Sequence, residues 1–276
     1  MLTNILKAIN MPKSTYMYWN IRLDRKDKDL ELGNMIRDIQ KDNPNYGYRR
    51  VQAVLKDKGI IVNKKRIQRV MKKYNLNVES YTRKSRKLDT YDKNKVKAAP
   101  NIINRRFHTN IPYQKITTDT SEFKYYTKDN KIGKLYLDPF LDMYNSEIIS
   151  YSISPTPSAL GIMNALNKAI EVTSKCKYQR IFHSDRGWAY SMRDYIKELK
   201  SNRIRRSMSR KGNCHDNSPM ENFFGLLKQE IYYGKIYSSY EELKYEIEKF
   251  IEYYNKKRIK AKLGYLSPVE YRLQAM

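Results

Sequence analysis

Two acidic residues with thirty-five residues between them, each delivered by a different kind of element, constrain this chain most. The apolar run Arg180-Ile181-Phe182 leads into His183-Ser184-Asp185-Arg186-Gly187, the way a strand carries a carboxylate to the edge of a sheet. Met192, Tyr195, Ile196 and Leu199 then mark one stripe of a helix. A short strand over Ile204–Ser207 follows, and after it a Gly/Asn/Asp-rich loop from Ser209 to Asn217. A helix opens near Ser218-Pro219 and places Met220, Phe223, Phe224, Leu227 and Ile231 on a buried face. Glu221 lies at the margin of that face. Lys228, seven residues on and so about two turns later, shares its side.

The surrounding pattern predicts the rest of an α/β domain. A strand over Lys115–Tyr126 carries Asp119, Lys131-Ile132-Gly133 forms a turn, and strands follow over Leu135–Leu141 and Glu147–Ile153. Pro155 and Pro157 end the meander, and a helix over Ala159–Thr173 turns Leu160, Met163, Leu166 and Ile170 inward. The order β-β-β-α-β-α-β-α implies a mixed sheet with helices on both faces. A long helix over Ser239–Lys257 and a tail containing Asn255, Arg258 and Ser267-Pro268 close the chain.

Upstream, residues 1–40 read as helical, with Leu32, Met35, Ile36 and Ile39 in line. Residues 41–77 form an all-α, helix-turn-helix-like unit. One helix covers Tyr48–Lys58 and ends at Gly59. A second, capped by Asn63, covers Lys64–Tyr74 and buries Ile67, Val70 and Met71. Its other faces carry Lys64, Lys65, Arg66, Arg69, Lys72 and Lys73, the expected DNA-contacting cations. Residues 78–110 read as a basic linker and 111–276 as the α/β core with its helical extension. From Asn45 to Lys97 there are seventeen Lys/Arg against four Asp/Glu. Half of the chain's formal charge of +26 therefore lies in under a fifth of its length.

That charge selects a polyanion as partner. No run of about eighteen apolar residues exists to cross a membrane, and the N-terminus has no long apolar core of a signal peptide. Two cysteines without C-x-x-C spacing and three histidines exclude a zinc finger and fit a reducing cytoplasm. A generic basic or ribosome-associated protein is the plainer alternative.

The segments HSDRG, KGNCHDN and ENFFGLLK decide against it. Together they resemble the catalytic core of DDE insertion-sequence transposases. The likeness is to the integrase-like second-frame product of two-frame bacterial elements, relatives of retroviral integrase with a ribonuclease H-like fold. NYGYRRVQAVLKDKGIIVNKKRIQRVMKKYNL resembles the small helical domain that precedes that core, and YYNKKRIKAKLGYLSPVEYR resembles the family's ending. The resemblance implies a DNA strand-cleaving and strand-transferring enzyme whose triad is Asp119, Asp185 and Glu221. These would hold two Mg²⁺ ions, with Mn²⁺ as substitute. Glu122, Asp138 and Asp142 are nearby acids, with Asp142 read as structural. Lys228 matches the basic residue seven positions after the family's glutamate. Arg203, Arg205, Arg206, Arg210 and Lys211 are read as drawing DNA towards the metals. His183 and Asn217 are expected to support the site and Cys214 to be inert. The implied partners are double-stranded DNA, further copies of the chain and a first-frame protein. The alternatives are a nuclease of the same fold that never joins, and a DNA-binding regulator with an inactive core.

Overall fold

The computed structural model describes residues 2–23, 27–78, 98–127, 129 and 131–274. The charge run at 82–87 lies outside them. The chain divides into two compact units, one through Val78 and one from Glu79.

Among its described residues the first unit holds five helices, α1 (Leu2–Ala8), α2 (Lys13–Leu23), α3 (Leu30–Asp42), α4 (Tyr48–Asp57) and α5 (Lys64–Lys73). Most residues that helical periodicity selects are in its core: Leu32, Ile36, Ile39, Val51, Leu55, Ile67, Val70 and Met71 are buried, while Met35 is half-buried and Leu6 and Tyr46 join the core from outside the pattern. The Asn63 side chain accepts from the Lys65 amide and caps α5. Gly59, at φ +79°, takes the left-handed turn that ends α4.

The second unit is a six-stranded mixed sheet with helices on both faces. Its strands are β1 (Lys115–Thr118), β2 (Ser121–Tyr126), β3 (Ile132–Asp142), β4 (Ile148–Ser154), β5 (Ile181–Ser184) and β6 (Arg205–Met208). β1 and β2 pair antiparallel with β3 in one continuous register and amount to a single strand interrupted at Asp119-Thr120. β4 pairs with the other edge of β3. β5 lies parallel to β1, and β6 parallel to β5. Three antiparallel strands followed by two parallel ones make the sheet ribonuclease H-like. The turn before β3 falls earlier than expected, where the Thr127 amide bonds to the Lys131 carbonyl. Gly133 belongs to the strand instead, because the Tyr125 ring occupies the space where a Cβ would lie.

Helices α6 (Ala159–Thr173) and α7 (Arg193–Ser201) cover one face; α8 (Ser218–Leu227) and α9 (Tyr240–Lys256) cover the other. Leu160 is 71% exposed, contrary to the expected stripe. Leu166 and Ile170 are buried as expected, and Ile162, Ala165 and Ala169 complete the buried face of α6, where two alanines let the helix lie close on the sheet. Behind the sheet the Asn255 side chain bonds both the amide and carbonyl of Ile148. Arg258, buried, pairs with Glu230. A short α10 (Pro268–Gln274) ends the described chain.

Candidate active site

Strand alternation builds the site. In the β1–β5 pair, Thr117 stands opposite His183. Carrying the register on by two residues sets Asp119 beside Asp185, on strands about 4.8 Å apart. Thr117, two residues before Asp119, faces the start of α8 through Asn217. Each acid lies just past the end of its strand, where the ladder no longer claims the backbone. Asp119 accepts from the Thr120 amide at 2.8 Å, and Asp185 from the Gly187 amide at 2.8 Å. Each thereby holds its own loop.

The electrostatics follow from burial and like charge. Loss of hydration, then Asp185 and then Glu221, push the Asp119 carboxyl well above its ordinary value. Burial pushes Asp185 up as well. Glu221 projects exposed from the first turn of α8. Lys228 begins a single π-helical turn that continues α8, a local widening that recurs at functional sites. Its ammonium lies over the Phe123 ring at 5.2 Å. Burial lowers its pKa, while Asp119 and Glu122 pull the other way.

Asn217 ties α8 to the sheet. Its Oδ1 accepts from the Thr117 hydroxyl, and its Nδ2 donates to the Thr118 carbonyl at 3.2 Å. The helix start is thus pinned to β1 immediately before Asp119, with Glu221 one turn further on. His183 is fully buried, its ring nitrogens against Ser207 Oγ (2.9 Å) and Ser209 Oγ (3.2 Å). Burial lowers its pKa to about 4, which leaves it a neutral brace between β5 and β6.

Among the described residues no three His, Cys, Asp or Glu side chains converge closely enough to hold a metal ion as they stand. The donor set nevertheless fits a hard cation: carboxylate oxygens, like charges that repel one another, and no thiolate or free imidazole.

Two family models described as integrase core domain match residues 109–214 and 221–276, and a third, described as HTH-like domain, matches 24–85. The InsK protein of insertion sequence element IS150 from Escherichia coli (strain K12) is 39% identical over 274 residues, 99% of this chain and 94% of that one. Transposase InsF of IS3A, from the same organism, is 30% identical over 84% of this chain and 78% of its own. The chain belongs to the insertion-sequence transposases. A transposase-like protein of Haemophilus influenzae is 42% identical over 79% of this chain and 96% of its own length. Among solved structures, the HTLV-2 integrase catalytic core domain in complex with magnesium covers 55% of this chain and 92% of its own. It shows 16% identity and a TM-score of 0.39, too loose a likeness to carry function.

The transposase divides its expected DNA-binding cations into groups. On α5, Lys64, Lys65 and Lys72 are exposed. Arg66 and Arg69 both pair with Asp29, and Lys73 pairs with Asp27. In the core, Arg203 and Arg205 do not crowd the acids. Arg205 is level with Ile181 in the parallel register, about 13 Å of strand from Asp185, and Arg203 is further still. Arg206 is half-buried, its guanidinium at the Tyr190 carbonyl. Arg210 is committed to Asp216 through its backbone amide, Nε and Nη2. Lys211 is exposed on the same turn.

Of the other acids, Glu122 is bound by Lys134 and Tyr136, and Asp142 caps the β3–β4 turn by accepting the Tyr113 and Tyr144 amides. Asp138 is buried behind the site and accepts from Thr120 Oγ1 (2.6 Å) and Ser152 Oγ (3.1 Å). Sequence reasoning missed Tyr190. This buried phenol lies 3.2 Å from Thr120 Oγ1, and burial together with Asp119, Asp185 and Asp138 raises its pKa. Its position five residues after Asp185 was the one available signal.

Proposed function

We propose that Asp119, Asp185 and Glu221 are the transposase's metal-holding carboxylates, and that with two Mg²⁺ ions they cleave and join DNA strands at the element's ends. The observation that carries this reading is that Asp119 and Asp185 each lie just past the end of one of two adjacent parallel strands, near enough for Asp185 to push the Asp119 carboxyl up, with no cation bonded to either among the described residues. Bound there, divalent ions would supply Lewis-acid activation of the attacking hydroxyl and stabilisation of the leaving oxygen. The chain's own contribution is to hold three carboxylates in place and to offer Lys228 as a point charge beside them for a DNA phosphate. The substrate is double-stranded DNA, both element end and target, held partly by the exposed lysines of α5. Several copies of the chain on the DNA, and a first-frame partner, belong to the same reading.

Glu221→Gln keeps the shape and removes the charge. It is expected to lower end cleavage by at least about 10³-fold while DNA affinity stays within about threefold. Activity within tenfold of wild type would end the assignment. The same assay on chelator-treated protein should respond to Mg²⁺ or Mn²⁺ but not to zinc alone. Scoring joined products separates a transposase from a nuclease of the same fold. Binding without metal-dependent cutting would instead point to a regulator.

A further inference from the structure

Residues 98–106 form a strap along β6. The Met208 amide donates to the Pro100 carbonyl, and the Ala99 amide meets Met208 Sδ at 3.5 Å. The Ile102 and Ile103 amides both donate to Ser207 Oγ, at 2.9 and 3.4 Å. Ser207 Oγ is also the partner of His183 Nδ1, two residues before Asp185. Beyond Ile103 the backbone turns through left-handed conformations at Asn104 and Arg105. Two side chains of the strap, one before this turn and one within it, reach Asp216. Asn101 Nδ2 donates to Asp216 Oδ2 at 2.9 Å, and Arg105 Nε to Oδ1 at 2.9 Å.

Asp216 is fully buried. Arg210 also holds it, with Nε on Oδ2 and Nη2 on Oδ1, both at 2.9 Å, and its amide on Oδ2 at 3.0 Å. Five donors thus converge on one carboxylate. The next residue is Asn217, which fastens the start of α8 to β1. The turn carrying the helix of Glu221 is therefore held by β1 on one side and by the strap on the other. The strap lies upstream of the residues matched by the integrase-core model, which begin at 109.

We propose that the strap is a positioning element of the active site: Asn101 and Arg105, acting through Asp216, fix the first turn of α8 and with it Glu221. The inference rests on the carboxylate set proposed above. An ion held by three carboxylates is sensitive to displacement of any one of them by an ångström. Losing the strap's bonds should therefore weaken metal use before it weakens DNA binding.

The test uses the full chain. Arg105→Ala and Asn101→Ala are expected to raise the Mg²⁺ concentration for half-maximal cleavage at least about fivefold and to lower the maximal rate about tenfold or more. Amide exchange of residues 218–222 should speed up in both variants without metal or DNA present. Because the effect runs through Asp216, Arg105→Ala should add little in an Asp216→Asn background. The salt dependence of DNA binding should not change. Unchanged Mg²⁺ dependence and unchanged exchange, with a shallower salt slope, would overturn the proposal and make Arg105 a phosphate contact. A Glu221→Gln control separates the two readings. If that variant still cuts, the carboxylate assignment falls and the inference with it. If it is dead while the strap variants behave as wild type, only the inference falls.

Discussion

The strand ends bearing Asp119 and Asp185 and the turn bearing Asp216 treat the same side chain in opposite ways. At the strand ends two carboxylates lie side by side, each accepting a backbone amide from its own loop, and burial holds both above their ordinary pKa. At the turn one carboxylate takes five donors from Asn101, Arg105 and Arg210, and its pKa falls below the usual range, chiefly through the Arg210 bonds. The difference separates scaffold from chemistry. A buried charge that the protein satisfies fixes a shape. On the proposed reading, a pair that it leaves in mutual repulsion retains a demand for a cation.

The largest expected effect comes from removing one member of that pair. Asp185→Asn should abolish cleavage, by at least about 10³-fold. It should also raise the melting temperature of the metal-free protein by about 2–4 °C, because Asp119 then ionises without a like charge beside it. An inactive variant that melted lower than wild type would mean that Asp185 is structural, and the contrast with Asp216 would fail.

The same division can be tested among cations in the first unit. Replacing Lys64, Lys65 and Lys72 with alanine should weaken duplex binding and flatten its log–log salt slope by about 0.9 per lost phosphate contact. Replacing Arg66 and Arg69, which hold Asp29, should mainly lower thermal stability. A larger slope change for the arginine pair would reverse the assignment of the two faces.

Asp142 is an intermediate case, a buried acid that accepts two backbone amides and is raised to about 7, chiefly by desolvation. Between its ordinary value near 4 and about 7, the folded protein holds a proton that the unfolded chain has released. Its contribution to stability therefore declines as pH rises through that window. Asp142→Asn removes the dependence. The melting temperature of the variant relative to wild type should climb by about 2–5 °C between pH 4.5 and 8. A constant difference across that range would show that the carboxylate does not titrate there.

The elements themselves were legible without a structure. Apolar residues at helical spacing in α5 and α8, the Asn63 cap and the glycine after α4 are local codes, and each sets its element through contacts within a few residues. The strand that ends at Asp185 and the helix that begins before Glu221 followed from the same codes. The stripe of α6 misled because alanine contributes little to a hydrophobic pattern yet packs closely. Arg203 and Arg205 misled because nearness in sequence says nothing about which end of a strand a side chain occupies.

By itself, then, the sequence determined the elements, their order, the two acids at element ends and a charge that calls for a polyanion. Tertiary structure alone decided which charges have partners. The parallel pairing of β1 with β5 brings Asp119 to Asp185 across sixty-six residues of chain, and Asn101 and Arg105 reach Asp216 from more than a hundred residues away. No local pattern encodes such meetings. Whether a carboxylate ends as scaffold or as site depends on what the fold carries to it from elsewhere in the chain.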